Sequence, residues 1–211
     1  MTTIGDLRDA LRIELHDEDE ERWQDGVLDR HLQRAARELA FVWPREQKTA
    51  LSTTAGSRDL SISSLAGLVR ILAAEYPAGQ YPPAYAQFST FGESLTLLVD
   101  ETPGDSEDVN VYWGSLHTLD GTTSTLPPVA EDAVITGAAG YAATEWASFA
   151  TNRANVSGVE AVRDYMTWGE RRLARFQAML SRFGESGRLR SSRLFVPERG
   201  GPSQSVVRWE P

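Results

Sequence analysis

The sequence contains no cysteine, and that absence removes disulfides, thiolate nucleophiles and cysteine-ligated zinc or iron–sulfur centres together. Only three histidines occur, His16, His31 and His117, in separate segments without HExxH or other ligand spacing. They read as isolated surface or helix-end groups. No run approaches the roughly 18 apolar residues of a membrane-spanning helix, and the opening MTTIGDLRDA lacks the apolar stretch of a secretion signal. Neither secretion nor membrane insertion is expected. GxSxG, P-loop and GxGxxG patterns are also missing. GAAGYAA from Gly137 has two glycines but sits inside a helical pattern, so it reads as packing rather than a phosphate cradle. No cofactor, metal site or catalytic residue is expected.

Positive charge is absent from a long central stretch. Residues 1–70 hold 10 basic and 13 acidic side chains, residues 71–152 none and 11, and residues 153–211 11 and 6. The middle block should project a negative field that repels nucleic-acid phosphates or covers a basic partner. Lysine is nearly missing too: only Lys48 occurs among 21 basic residues.

What is present has an order. Thr3 can cap a first helix, with Asp6 three residues on and Ile4, Leu7, Leu11 and Leu15 at helical spacing. The acidic run Asp17 to Glu21 breaks it, and Asp25 at a capping position opens a second helix to about Trp43, ended by Pro44. Short β-type runs follow at Ala50–Thr54, Arg58–Ile62, Leu68–Tyr76, Gln87–Phe91, Ser94–Val99 and Val109–Gly114, punctuated by Gly and Pro. Residues 100–108 read as a solvated hairpin loop; Asp105, Glu107 and Asp108 lack the order of a calcium loop. A third, Ala/Gly-rich helix is expected over about Val129–Phe149. A fourth is expected from a cap at Ser157 to about Phe183, with Gly184 as its stop.

The fold expected is mainly α within the α+β class: a bundle of about four helices, a small inserted antiparallel β unit and an extended C-terminal arm. Residues 1–48 and 126–184 would form one helical domain, 49–125 the β-rich insertion and 185–211 the arm. The arm shows no helical period, yet carries Leu194, Phe195, Val196, Val206, Val207 and Trp209, more apolar groups than a solvating tail needs.

In this order of segments the chain resembles the head-to-tail adaptor (connector) proteins of tailed bacteriophages. The resemblance is carried by LRDALRIELHDEDEERWQDGVLDRHLQRAARELAFVWPREQ (Leu7 to Gln47) and VYWGSLHTLDGTTSTLPPVAEDAVITGAAGYAATEW (Val111 to Trp146). It implies a structural virion protein at the neck, assembled in the host cytoplasm, that forms a ring, usually of twelve copies, below the portal. Such a ring links capsid to tail or neck protein, lets double-stranded DNA pass without sequence-specific binding, and helps retain it. It further implies that Arg188, Arg190, Arg193, Leu194, Phe195, Val196, Val206, Val207 and Trp209 contact the portal. Gly137, Ala138, Ala139 and Gly140 could supply close-packed ring contacts. A tail-completion or terminator ring is the nearest alternative. From a different class, a helical nucleic-acid-binding regulator would use the basic stretch Arg171, Arg172, Arg175, Arg182, Arg188, Arg190 and Arg193.

Overall fold

A computed structural model describes residues 2–151 and 159–191. Its order is α1 (Ile4–Leu15), α2 (Asp25–Val42), β1 (Arg45–Ser52), β2 (Asp59–Ser61), β3 (Leu68–Glu75), β4 (Tyr85–Phe91), β5 (Ser94–Leu98), β6 (Asp108–Ser115), α3 (Pro128–Thr151) and α4 (Val159–Ser191).

Helix α1 starts as its sequence dictates. The Asp6 amide donates to Thr3 Oγ1 at 3.2 Å and the Thr3 amide donates to the Asp6 carboxylate at 2.7 Å, a reciprocal capping box. Those Thr3 donors hold the Asp6 carboxyl below its ordinary range. The helix ends where His16 takes a left-handed conformation and its amide returns to the carbonyls of Arg12 and Ile13. Ile4, Leu7, Leu11 and Leu15 are all buried. Helix α2 starts differently from expectation. Gln24 is its cap and makes no side-chain cap bond, whereas Asp25 is the first helical residue and gives its carboxylate to Arg8 and Arg12.

Gly26, in the first turn of α2, has nothing within 4 Å of where a Cβ would stand. Gly26→Ala should therefore stabilise the protein by about 0.5 kcal/mol through helix propensity alone, read as a higher urea midpoint with an unchanged slope.

Helix α3 is the centre of the helical layer, with Ala133, Val134, Ala138, Ala139, Ala142 and Ala143 all buried. Helix α4 lies along it and does not stop at Gly184. That glycine is outside the set with positive φ, so it does not form the left-handed terminator that its type and position predict; the helical backbone continues to Ser191. The predicted cap Ser157 lies outside the described residues.

The reading of a mainly helical bundle with a small β insertion is overturned. The six strands form one antiparallel sheet in the order β1-β6-β3-β4-β5-β2, and the protein is a mixed α+β fold. Edge strands β1 and β2 approach each other, so the sheet curls. It encloses its own core of Leu60, Ile62, Leu65, Ala74, Leu95, Leu97, Val109, Val111 and Trp113, separate from the helical core. Part of the sheet was hidden because β1 begins with Arg45, Glu46, Gln47 and Lys48, a polar run without apolar alternation. It pairs with β6 along its whole length, from Arg45 opposite Ser115 to Ser52 opposite Asp108.

Helices and sheet meet at a tight seam. A Cβ on Gly114 of β6 would stand 2.5 Å from Pro44, the residue that ends α2. The His117 ring bridges the Trp43 carbonyl (Nε2, 2.9 Å) and the Thr125 carbonyl (Nδ1, 3.0 Å), tying the end of α2 to the approach to α3. The Ile4 amide donates to Asp120 O at 3.0 Å and fastens the start of α1 to the same connection.

Candidate interaction surfaces

Shallow clefts of about 210 and 200 Å³ flank His117, lined by Gln33, Ala36, Arg37, Leu116 and Leu119 on one side and by Trp43, Pro44, Arg45, Glu46, Thr125 and Pro127 on the other. Both fall below the roughly 300 Å³ at which small-molecule sites begin. Among the described residues, no three of His, Asp and Glu gather as a metal would require, and no helix is long and apolar enough to cross a membrane.

The connection from β5 into β6 is strongly acidic. Asp100, Glu101, Asp105, Glu107 and Asp108 are all exposed, but the loop is clasped rather than merely solvated. Buried Thr53 holds it from the end of β1: its hydroxyl donates to Gly104 O at 2.8 Å and accepts from the Glu107 amide at 3.0 Å. Its amide donates to Glu107 O at 2.9 Å, and its carbonyl accepts from the Ser106 amide at 3.0 Å. The Gly56 amide reaches Pro103 O, and Arg58 donates to the carbonyls of Val99 (3.0 Å) and Asp100 (2.8 Å). Tyr76 OH bonds Glu107, and that carboxylate raises the phenol to about 12. Thr53→Val keeps the shape, removes the hydroxyl and strands the Glu107 amide. It should cost about 1–2 kcal/mol and speed amide hydrogen exchange over residues 103–107 before the helical core responds.

Behind this loop, Glu75 accepts from the Gly79 amide (2.9 Å), Asn110 Nδ2 (3.1 Å) and Tyr112 OH (2.8 Å), with Lys48 Nζ 3.7 Å away. Burial pushes its carboxyl up, but the Gly79, Tyr112 and Asn110 donors and the Lys48 charge outweigh burial and hold it below its ordinary value. This satisfied network braces β3 against β6.

The basic stretch on α4 divides. Arg172 turns inward to Glu14 of α1 at 2.5 Å and stacks over the Trp168 ring, while Arg171 and Arg175 are exposed. Arg188 and Arg190 lie on the helical backbone of α4, and Arg193, Leu194, Phe195, Val196, Val206, Val207 and Trp209 lie outside the described residues. Gly137, Ala138, Ala139 and Gly140 face inward. The two alanines are fully buried, and a Cβ on Gly137 or Gly140 would stand 2.8 Å from Phe176 or Leu173 of α4 in the same chain.

One buried histidine gives the helical layer a pH response. His31 is 3% exposed, stacks on Tyr141 with centroids 6.4 Å apart, and lies 3.4 Å from the Glu145 carboxylate, which is engaged by Arg30 at 2.5 Å. Burial lowers its proton affinity below the ordinary 6.5; Glu145 acts against this, and Arg30 and Arg34 add to it. Below pH 6.5 the unfolded chain therefore binds the extra proton first. Stability should be full above that pH and fall as pH drops through it. Urea midpoints at pH 7.5 and 5.5 should differ, and His31→Gln should narrow the difference. The depressed carboxyls Asp6, Asp25 and Asp120 lose their contribution only at lower pH, as they protonate.

The molecule thus carries two separate cores, one in the helices and one in the sheet. The model of the SU10 adaptor protein family matches residues 2–197, through helices and sheet alike. The chain belongs to the SU10 adaptor protein family. It is thus a bacteriophage head-to-tail adaptor and a structural component of the virion. No curated protein matches the chain. In this SU10 adaptor the sequence pointed to the arginines and the acidic block without showing the Thr53 clasp. A threonine five residues before an arginine, in a β-rich segment, carries no signal that it will hold a loop fifty residues away.

Proposed function

We propose that this SU10 adaptor assembles as a closed ring, of twelve copies, beneath the portal at the virion neck. There it joins the capsid to the tail or a neck protein and helps retain packaged DNA. The family match over residues 2–197 carries this reading. Assembly takes place in the host cytoplasm, and the protein transforms no substrate. In this scheme residues 1–48 and 126–184 act as one helical domain and residues 49–125 as a β-rich unit. The cation-free block 71–152 lets double-stranded DNA pass without adhering. Residues 185–211 form the portal-binding arm, with Arg188, Arg190 and Arg193 meeting acidic groups while Phe195, Val196, Val206, Val207 and Trp209 anchor it.

The test is a truncation. Removing residues 192–211, beyond the helical backbone of α4, should abolish association with the cognate portal while leaving the urea midpoint of the remaining chain unchanged. Undiminished portal association overturns the arm assignment. Particles imaged with this chain away from the head–tail junction overturn the placement.

A further inference from the structure

Arg171 and Arg175 stand one turn apart on the outer face of α4, and both are exposed. Neither has a carboxylate at a helical-neighbour position: residues 167, 168, 174, 178 and 179 are Thr, Trp, Ala, Ala and Met. The two arginines are instead each other's i,i+4 neighbours, a like-charge arrangement unfavourable in an isolated helix. Ala174 and Ala178, both exposed, share that face.

The opposite charge is available elsewhere on the same chain. In the β5–β6 loop, Asp100, Glu101 and Asp105 are exposed, and the nearby Arg58 spends its donors on backbone carbonyls rather than on carboxylates. Because Thr53 already orders the loop, docking it incurs little further loss of conformational freedom. Basic and acidic patches sit on different layers, one on the helices and one on the sheet. A two-fold contact that paired the two patches reciprocally would close at a dimer, whereas a head-to-tail contact repeats the basic-to-acidic pairing from copy to copy, as a ring requires.

We infer that Arg171 and Arg175 of one copy seat the acidic β5–β6 loop of the next copy, around Glu101 and Asp105, as the repeating contact of the assembly. This rests on the ring reading and adds to it the faces that meet. A second copy is the occupant because it brings exposed carboxylates on an ordered loop that match the two guanidinium groups.

The absence of cysteine makes the test direct. Full-length chains carrying only Arg175→Cys are mixed with chains carrying only Asp105→Cys and treated with a short bismaleimide. The expected product is the mixed dimer in excess of either self-pair, and a chain carrying both substitutions should give a ladder of multimers. In light scattering, Arg171→Glu with Arg175→Glu should reduce the assembled fraction about tenfold or more. Glu101→Arg with Asp105→Arg should do the same, and the chain carrying all four should recover it. A wild-type assembly whose mass survives both charge reversals, or which gives no mixed dimer, overturns the contact and leaves the ring standing. A chain that stays monomeric and uncross-linked up to the solubility limit overturns contact and ring together. Duplex DNA retarded at low salt by the wild type and not by the Arg171→Glu, Arg175→Glu chain overturns the contact in favour of phosphate as the occupant.

Discussion

Asp17→Ala should lower the unfolding free energy by about 3 kcal/mol, although Asp17 belongs to the most acidic run in the chain, Asp17 to Glu21. The reason is burial: Arg12 and Asp17 are each only 4% exposed and face each other at 3.1 Å. The Asp17 carboxylate also accepts from the amides of Arg22 (2.9 Å) and Trp23 (3.2 Å), drawing the chain over the end of α1 so that Trp23 is buried. Truncation strands both amides and removes the buried partner of a cation, and breaking such a pair costs about 3–5 kcal/mol. Asp25 remains, at 2.6 Å from Arg12 Nη2, which places the estimate at the lower end. Asp17→Asn keeps an acceptor for the amides while losing the charge, so it should cost about half as much. Urea unfolding of the three proteins checks the order. A loss below about 1 kcal/mol for Asp17→Ala would mean that Asp25 alone compensates Arg12.

Asp17 also shows where sequence legibility ends. Periodicity exposed the buried faces of α1 and α2, because Leu7, Leu11, Leu28, Leu32 and Leu39 repeat at spacings that only a helix brings to one side. The six β runs were each visible, with ends off by up to five residues. That they form an antiparallel unit was expected; their order was not legible, because β1 finds β6 more than fifty residues away, and local pattern carries no pairing information. Composition alone could not separate Asp17, held by an arginine and two amides, from Glu18 and Asp19 in solvent beside it. The acidic 100–108 loop is exposed as its composition indicates, but it is not a hairpin, because β5 and β6 do not pair with each other, and its restraint comes from Thr53, in another element. Of the interaction surfaces, the charge blocks were legible because they are sums over residues. Which arginines of α4 face outward was settled only when Glu14 captured Arg172 and left Arg171 and Arg175 exposed.

Gly140→Val should be the most damaging substitution in the helical layer after Asp17→Ala, at about 3 kcal/mol. A Cβ on Gly140 would lie 2.8 Å from Leu173 Cγ and 3.0 Å from the Leu173 amide nitrogen, and one on Gly169 would lie 3.1 Å from the Gly140 carbonyl oxygen. The two glycines thus stand at one close approach of α3 and α4, and part of each obstacle is backbone that cannot rotate away. Over-packing of this kind costs about 1–3 kcal/mol, occasionally more. For Gly140→Ala, about 1 kcal/mol is returned by helix propensity, so its net loss should be nearer 1 kcal/mol. Alanine substitution at Gly26 and at Gly140 should therefore change stability in opposite directions, although both glycines are helical. Truncating Leu173 to Ala in the Gly140→Ala background removes the side-chain half of the clash and should cost less than the sum of the single losses. Full additivity would show that Leu173 already has room to move, and that the backbone approach at Gly169 alone sets the spacing of α3 and α4.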